Sequence, residues 1–370
     1  MGTFRVILAF AVVLGHTAYS GPRLMGPSDA VHIFFVISGF YMCMMLRRKY
    51  GWSGRGVRAF YLNRFLRLYP TYIAVVLGAM AWYFLCRWST GGGGSENALM
   101  ELGRSMDKAT WLALWVPNIS LVGVDVPGWL NWADGMGAEI AGAAESPMKT
   151  AEGMWLGYSL WIGPAWTIGC EIWFYALAPF LLAGRPVVRM LAAAGISLGL
   201  LEWIGGKFLY GGYFIWVFWL WLFVIGMLCY LAYEKWEGHL GEIFRSFQWG
   251  VPLFLLAAFG FFTVPYLLGY KISAWLSIPV AVVCIPLLFQ ATKSNSVDRL
   301  IGEFSYPVYC THMLAAEVNQ TLIGVLKMDW SWLVWMNIGM TLAASAVCVF
   351  LIEQPFERIR ARIASRISCG

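Results

Sequence analysis

Charge is scarce in this chain. Only 12% of its 370 residues are Asp, Glu, Lys or Arg, against 60% hydrophobic, and the mean hydropathy is +0.66. A soluble domain carries about 25% charged residues, so a water-soluble globular fold is excluded. The eight cysteines are scattered, with no C-x-x-C and no Cys/His ligand spacing, which leaves nothing to support a metal centre or a disulfide framework. There is no internal repeat and no pair of matching broken helices of the kind many transporters show. No small-x-small cleavage site stands out in residues 1–20, and Arg5 and His16 interrupt their apolar run, so this stretch reads as retained rather than as a signal peptide. The net charge of +6 sits in loops that flank apolar runs, which is not a nucleic-acid signature.

What the chain does have is apolar runs near twenty residues long. They are continuous rather than alternating, which selects a helical membrane bundle over a β-barrel. Ten spans can be drawn, at 5–20, 30–46, 69–86, 160–183, 187–203, 213–233, 250–268, 272–290, 306–325 and 331–352. The expected fold is therefore all-α, a polytopic bundle of about ten transmembrane helices. Basic residues set its orientation. Arg47, Arg48, Lys49, Arg55, Arg58, Arg64 and Arg67 follow the second span, and Arg358, Arg360, Arg362 and Arg366 occupy the tail. An even number of spans then puts both termini in the cytoplasm. One segment breaks the rhythm: residues 87–159, rich in Trp and holding Gly91–Gly94, form a long outer loop with Asp125, Asp134, Glu139 and Glu145. Loops of that length tend to be functional. Within it, Trp111 to Val122 reads as a re-entrant or interfacial helix.

Ionisable groups inside apolar runs are the candidates for chemistry. Arg5 and His16 are eleven residues apart, about three helical turns, so they share a face roughly 16 Å apart with His16 deep in the bilayer. The competing reading is an interfacial Arg that snorkels and a His satisfied by a neighbouring helix. His32, early in the second span, is expected near the outer surface and solvated. Ser38-Gly39 makes a notch for close helix approach. Arg64 and Arg67 share a helix face at the cytoplasmic surface. Arginine suits bidentate phosphate binding, although the pair alone also fits the ordinary excess of basic residues there. Pro164 suits a first helical turn, and Glu171 follows at a depth comparable to His16, where a carboxylate is neutral or paired. His16 is an available partner for it. Tyr309 and His312, at i and i+3, line the cytoplasmic half of a cavity or serve structural hydrogen bonds.

Taken in order, Arg5-x10-His16, IFFVISGF, RFLRLYP, PAWTIGCEIWFY, FSYPVYCTH and IEQPFER resemble the acyltransferase-3 family of membrane acyltransferases, from end to end. The resemblance implies one transmembrane acyltransferase domain over 1–370, multi-pass in a bacterial inner membrane. Its short form is similar to exopolysaccharide and nodulation-factor O-acetyltransferases. An acyl group, by expectation acetyl, would pass from cytoplasmic acyl-CoA to a hydroxyl of a carbohydrate or glycolipid acceptor, without a metal. His16 and Glu171 would be catalytic, the first as general base and the second orienting the imidazole or stabilising its charged form. An acyl-histidine intermediate is the alternative chemistry. Arg5, Arg64 and Arg67 would hold the donor, with Tyr309 and His312 along its path. His32 departs from the pattern, since relatives often carry an acid there. The expected partners are acyl-CoA, the acceptor and the lipid bilayer, with no nucleic acid. A transporter or flippase of lipid-linked sugars explains the buried charges but not the ordered motifs.

Overall fold

The computed structural model describes residues 1–17, 25–90, 97–101, 103, 106–133, 137–140, 149–150, 153–205, 215–246, 250–268, 270 and 274–368. The glycine run at 91–94, Asp134, Glu145 and the far end of the first span at 18–20 lie outside them. Fourteen α-helices succeed one another among the described residues: α1 (Gly2–His16), α2 (Pro27–Met45), α3 (Gly54–Thr90), α4 (Ala98–Glu101), α5 (Lys108–Ser120), α6 (Ala165–Leu182), α7 (Pro186–Leu200), α8 (Trp216–Ser246), α9 (Gly250–Leu267), α10 (Ala274–Thr292), α11 (Ser296–Glu303), α12 (Ser305–Leu326), α13 (Leu333–Cys348) and α14 (Gln354–Ser368). Each of the ten drawn spans falls on one of them. Among the described residues six stretches are long and apolar enough to cross a membrane: Pro27–Tyr50, Gly54–Ser89, Ala165–Leu182, Pro186–Trp203, Trp216–Glu242 and Trp330–Ser365. Helices α1, α9 and α10 carry shorter apolar stretches, and α12, though long enough, holds His312, Glu317, Asn319 and Gln320.

The bundle is tightest where α2 crosses α8. A Cβ on Gly39 would stand 2.0 Å from the Phe223 carbonyl oxygen, and one on Gly226 would stand 2.0 Å from that of Val36. Each helix thus presents a glycine to the other's backbone, and the expected notch at Ser38-Gly39 is one half of a reciprocal pair. Such close approach is how membrane helices gain dispersion energy without a hydrophobic driving force. Around it pack Phe35, Phe40, Phe174, Phe223 and Tyr230, all buried, with Phe35 and Phe174 stacked on Phe223 at 4.6 and 4.4 Å.

Charged ends tie the helices together. Arg47 and Arg48 after α2 pair with Glu234 and Glu237 of α8 at 2.7 and 2.5 Å, and Lys293 after α10 reaches Glu237 at 2.8 Å. At the same end α1 is capped from a distance: the amides of Gly2 and Thr3 donate to the Asp298 carboxylate at 2.7 and 2.9 Å, the Thr3 hydroxyl at 2.8 Å and the Met1 amino group at 2.7 Å. These bonds satisfy donors that a helix start leaves orphaned. Burial works to raise the Asp298 pKa, but the donors outweigh it and hold the carboxyl well below its usual range.

The segment between α3 and α6 holds a helix where one was expected, α5, and something not expected. Four short strands, β1 (Leu130–Ala133), β2 (Gly137–Ile140), β3 (Lys149–Thr150) and β4 (Gly153–Trp155), form an antiparallel sheet in the order β2-β1-β4-β3. Asn131 sits opposite both Glu139 and Trp155. The all-α description therefore holds for the membrane body and not for this appendage. Asn118 fastens the segment down. Its amide donates to the carbonyls of Leu114 and Ser159 at 2.9 and 3.1 Å, its Oδ1 accepts the Trp161 amide at 2.9 Å, and its carbonyl accepts the Tyr72 hydroxyl of α3 at 2.8 Å.

Candidate functional site

Helices α1, α2, α3, α6 and α12 enclose a cavity of about 200 Å³, and Arg5, Arg64, Arg67 and Glu171 all line it. Ser38, Tyr41, Thr167, Tyr175, Tyr306 and Tyr309 supply further polar groups, and Phe34, Phe35, Met42 and Met45 an apolar wall. Ser38 is turned towards the cavity because it lies one residue, about 100°, from the Gly39 that seats on α8. Its hydroxyl donates to Glu171 Oε1, and Tyr175, one turn further along α6, donates to Oε2 at 2.7 Å. Glu171 is thus held by a serine and a tyrosine. The expected partnership with His16 is not what the fold makes: Glu171 projects into the cavity, whose lining does not include His16.

His16 has another partner. It is the last residue of α1, since Thr17 is already extended, and its side chain is exposed. Its Nδ1 lies 3.0 Å from the Val12 carbonyl and 3.4 Å from Nε2 of His312, and the two rings are 5.2 Å apart. His312 is buried, with its own Nδ1 2.8 Å from the Tyr309 carbonyl. A carbonyl only accepts, so in each neutral ring Nδ1 carries the proton and Nε2 the lone pair. The lone pair of His312 faces the N–H of His16, at the long end of hydrogen-bonding range. His16 Nε2 makes no hydrogen bond among the described residues. His312 is not among the residues that line the cavity and stands against His16.

Tyr309 belongs to both regions. It lines the cavity, its carbonyl fixes His312, and its hydroxyl lies 2.8 Å from Thr167 Oγ1 and 3.3 Å from the Pro164 carbonyl. Helix α1 starts against α11, Gly2 on Gly302, and reaches α12 at its far end, His16 against His312. Arg5 is therefore lower on α1 than His16 by about 16 Å, and the cavity lies between the capped end and the histidine pair.

The arginines differ. Arg67 pairs with Glu353 at 2.5 Å, both side chains being largely buried. Arg64 donates to its neighbour Asn63 at 2.8 Å and touches the Met45 sulfur at 3.8 Å, while its buried Nε has no hydrogen-bond partner among the described residues. Of the charged residues that line the cavity, three are arginines and one, Glu171, is a carboxylate, so positive groups are in excess there, which suits an anion.

His32 is buried against Trp219, ring to ring at 4.6 Å, and not solvated. Sequence reasoning passed over three features of this region. Tyr175 was accessible from its i, i+4 spacing to Glu171. Glu353 lies 286 positions from Arg67, and nothing local signals that pairing. Asp125, between α5 and α6, is fully buried, with one carboxylate oxygen unpartnered among the described residues and the other accepting the Trp173 indole at 3.2 Å. Burial raises its pKa to about 6, against the opposing hydrogen bonds.

These features define a class: a multi-pass helical membrane protein whose internal cavity joins arginines, a carboxylate and a tyrosine beside a histidine pair. The chain belongs to the acyltransferase-3 family, whose profile, described as an acyltransferase domain, matches residues 2–353 and so takes in every residue of the site. Acyl transfer is the activity that membership implies. Neither the curated proteins nor the solved structures contain a match.

Proposed function

We propose that this protein is a membrane O-acyltransferase that moves an acyl group, acetyl being the expected one, from cytoplasmic acyl-CoA to a hydroxyl of a sugar-containing acceptor. The observation that carries the reading is the fixed tautomer of His16: with Nδ1 turned to the Val12 carbonyl and His312, Nε2 is a base directed away from the helix. In the reaction that nitrogen takes the proton of the acceptor hydroxyl while the oxygen attacks the thioester carbonyl. The tetrahedral intermediate collapses, the C–S bond breaks, and the CoA sulfur leaves with the proton held on His16. The imidazolium formed in between is stabilised by the Val12 carbonyl and the His312 lone pair, the task first expected of Glu171.

The unbalanced positive charge of the cavity supports entry of an anionic donor from the Arg64 end. Arg5 and Arg64 take the phosphates, and Glu171, held by Ser38 and Tyr175, orients Arg5 and Arg64 across the cavity. The donor's thin arm passes Tyr309 to reach the histidines. The acceptor comes from the other side, by way of the segment between α3 and α6, in the outer leaflet or beyond. The inner bacterial membrane, with both termini cytoplasmic, is the setting this requires. Purified protein in lipid vesicles, given radiolabelled acetyl-CoA and candidate glycans, tests the reading. Label transferred to glycan supports it, and transport of unmodified lipid-linked sugar without label transfer rejects it.

A further inference from the structure

The two arginines of the R-x-x-R stretch stand in different chemical states, and the difference originates at Glu353. Arg67 gives its charge to Glu353 at 2.5 Å, with the two side chains 14% and 3% exposed. The other Glu353 oxygen accepts from Thr71 at 2.7 Å. Thr71 is one turn beyond Arg67 on α3, so a single face of α3 grips both oxygens of the carboxylate. Arg67 also lies over the Tyr306 ring at 6.0 Å, and Arg360 of α14 stands 3.9 Å from Glu353. Glu353 closes a π-helical turn, Val349–Glu353, that separates α13 from α14. A π turn carries an extra residue and re-aims the side chains beyond it, and such turns recur at functional sites. Here it presents a carboxylate to α3. Arg64, one turn away, makes no ion pair within 4 Å and has an orphaned Nε among the described residues.

We propose that Glu353 is a positioning residue: it neutralises Arg67 and makes it a tie between α3 and the C-terminal segment, leaving Arg5 and Arg64 as the cations that receive an anionic ligand. This rests on the acyl-CoA reading above for the identity of that anion. A guanidinium already paired, hydrogen-bonded and stacked has little to offer a phosphate, and pulling it away would leave buried Glu353 with only the more distant Arg360, at 3.9 Å, to offset its charge. Arg64 meets no such penalty on binding a phosphate, because its Nε gains a partner it lacks.

Lysine substitutions and a charge swap separate the two roles. Lysine keeps a charge for Glu353 but cannot form a bidentate fork. Arg67→Lys is expected to keep donor KM within about threefold of wild type, whereas Arg64→Lys raises it by about tenfold or more, with kcat less affected in both. Arg67→Glu and Glu353→Arg are each expected to lower the thermal midpoint and turnover, and the double variant to recover a large part of both. Equal KM increases in the two lysine variants would overturn the proposal, as would a double variant no more stable than its parents. The midpoint arm uses no acyl donor, so it decides the Arg67–Glu353 tie even if wild-type protein turns over no acyl-CoA and the donor reading falls.

Discussion

Replacing His16 by alanine is expected to reduce turnover by about 10² to 10⁴, the usual cost of losing a positioned base, while the protein still inserts and donor KM stays near wild type. A variant that acylates at the wild-type rate would end the assignment. His312→Ala should be milder, lowering kcat and shifting the pH profile, because it removes support for the imidazolium and not the base itself. Asp125 makes a separate statement about pH. Its folded-state pKa, about 6, lies above the ordinary 3.8. The folded state thus prefers the neutral acid, and that contribution to stability is complete below the ordinary value and lost as pH rises through about 6. Asp125→Asn should raise stability at neutral pH by about 1–3 kcal/mol and flatten the dependence of thermal midpoint on pH between acid and neutral conditions. An unchanged slope would place the titration elsewhere. Asp298 has the opposite sign: its lowered pKa stabilises the fold above the ordinary carboxylate range and is lost as pH falls through its folded value.

Among the elements, the crossing of α2 and α8 makes the sharpest structural demand. Gly39→Ala or Gly226→Ala would push a methyl into a backbone carbonyl, and each is expected to cost about 1–3 kcal/mol, read as a lower thermal midpoint in detergent. Gly195→Ala on α7, where nothing lies within 4 Å, is the control and should be neutral or slightly stabilising. The helices themselves were legible in the sequence because a membrane span writes itself as a continuous apolar run, and α5 because its Trp and Leu cluster interrupts a polar loop. The strands β1 to β4 were not, since strands of two to four residues are too short to establish an alternation. The Ser38-Gly39 notch was visible as a motif. Its mate Gly226 was not, because reciprocity depends on which helices are neighbours.

At the scale of the whole molecule, a thiol introduced within 91–95 is expected to react with impermeant reagent from the outside only. Labelling from the cytoplasmic side alone would invert the topology. The site was legible in its membership and not in its wiring. Arg5, Arg64, Arg67, Glu171 and Tyr309 announced themselves as polar groups in apolar surroundings, and they do meet in one cavity. The partner of each was hidden, because Glu353 and His312 reach Arg67 and His16 across nearly three hundred positions, and depth along a helix does not say which neighbour it faces. The brevity of α1 has a consequence for the surrounding lipid. Fifteen residues span about 22 Å, against a hydrocarbon thickness of about 30 Å. If that end of α1 faces lipid, the leaflet beside His16 would thin to meet it. On the acyl-transfer reading proposed above, headgroups lowered towards the imidazole would bring a lipid-carried sugar to it. Activity on a lipid-linked acceptor should then decline as the acyl chains of the host vesicle lengthen, and a rate indifferent to chain length would mean that the acceptor arrives from water.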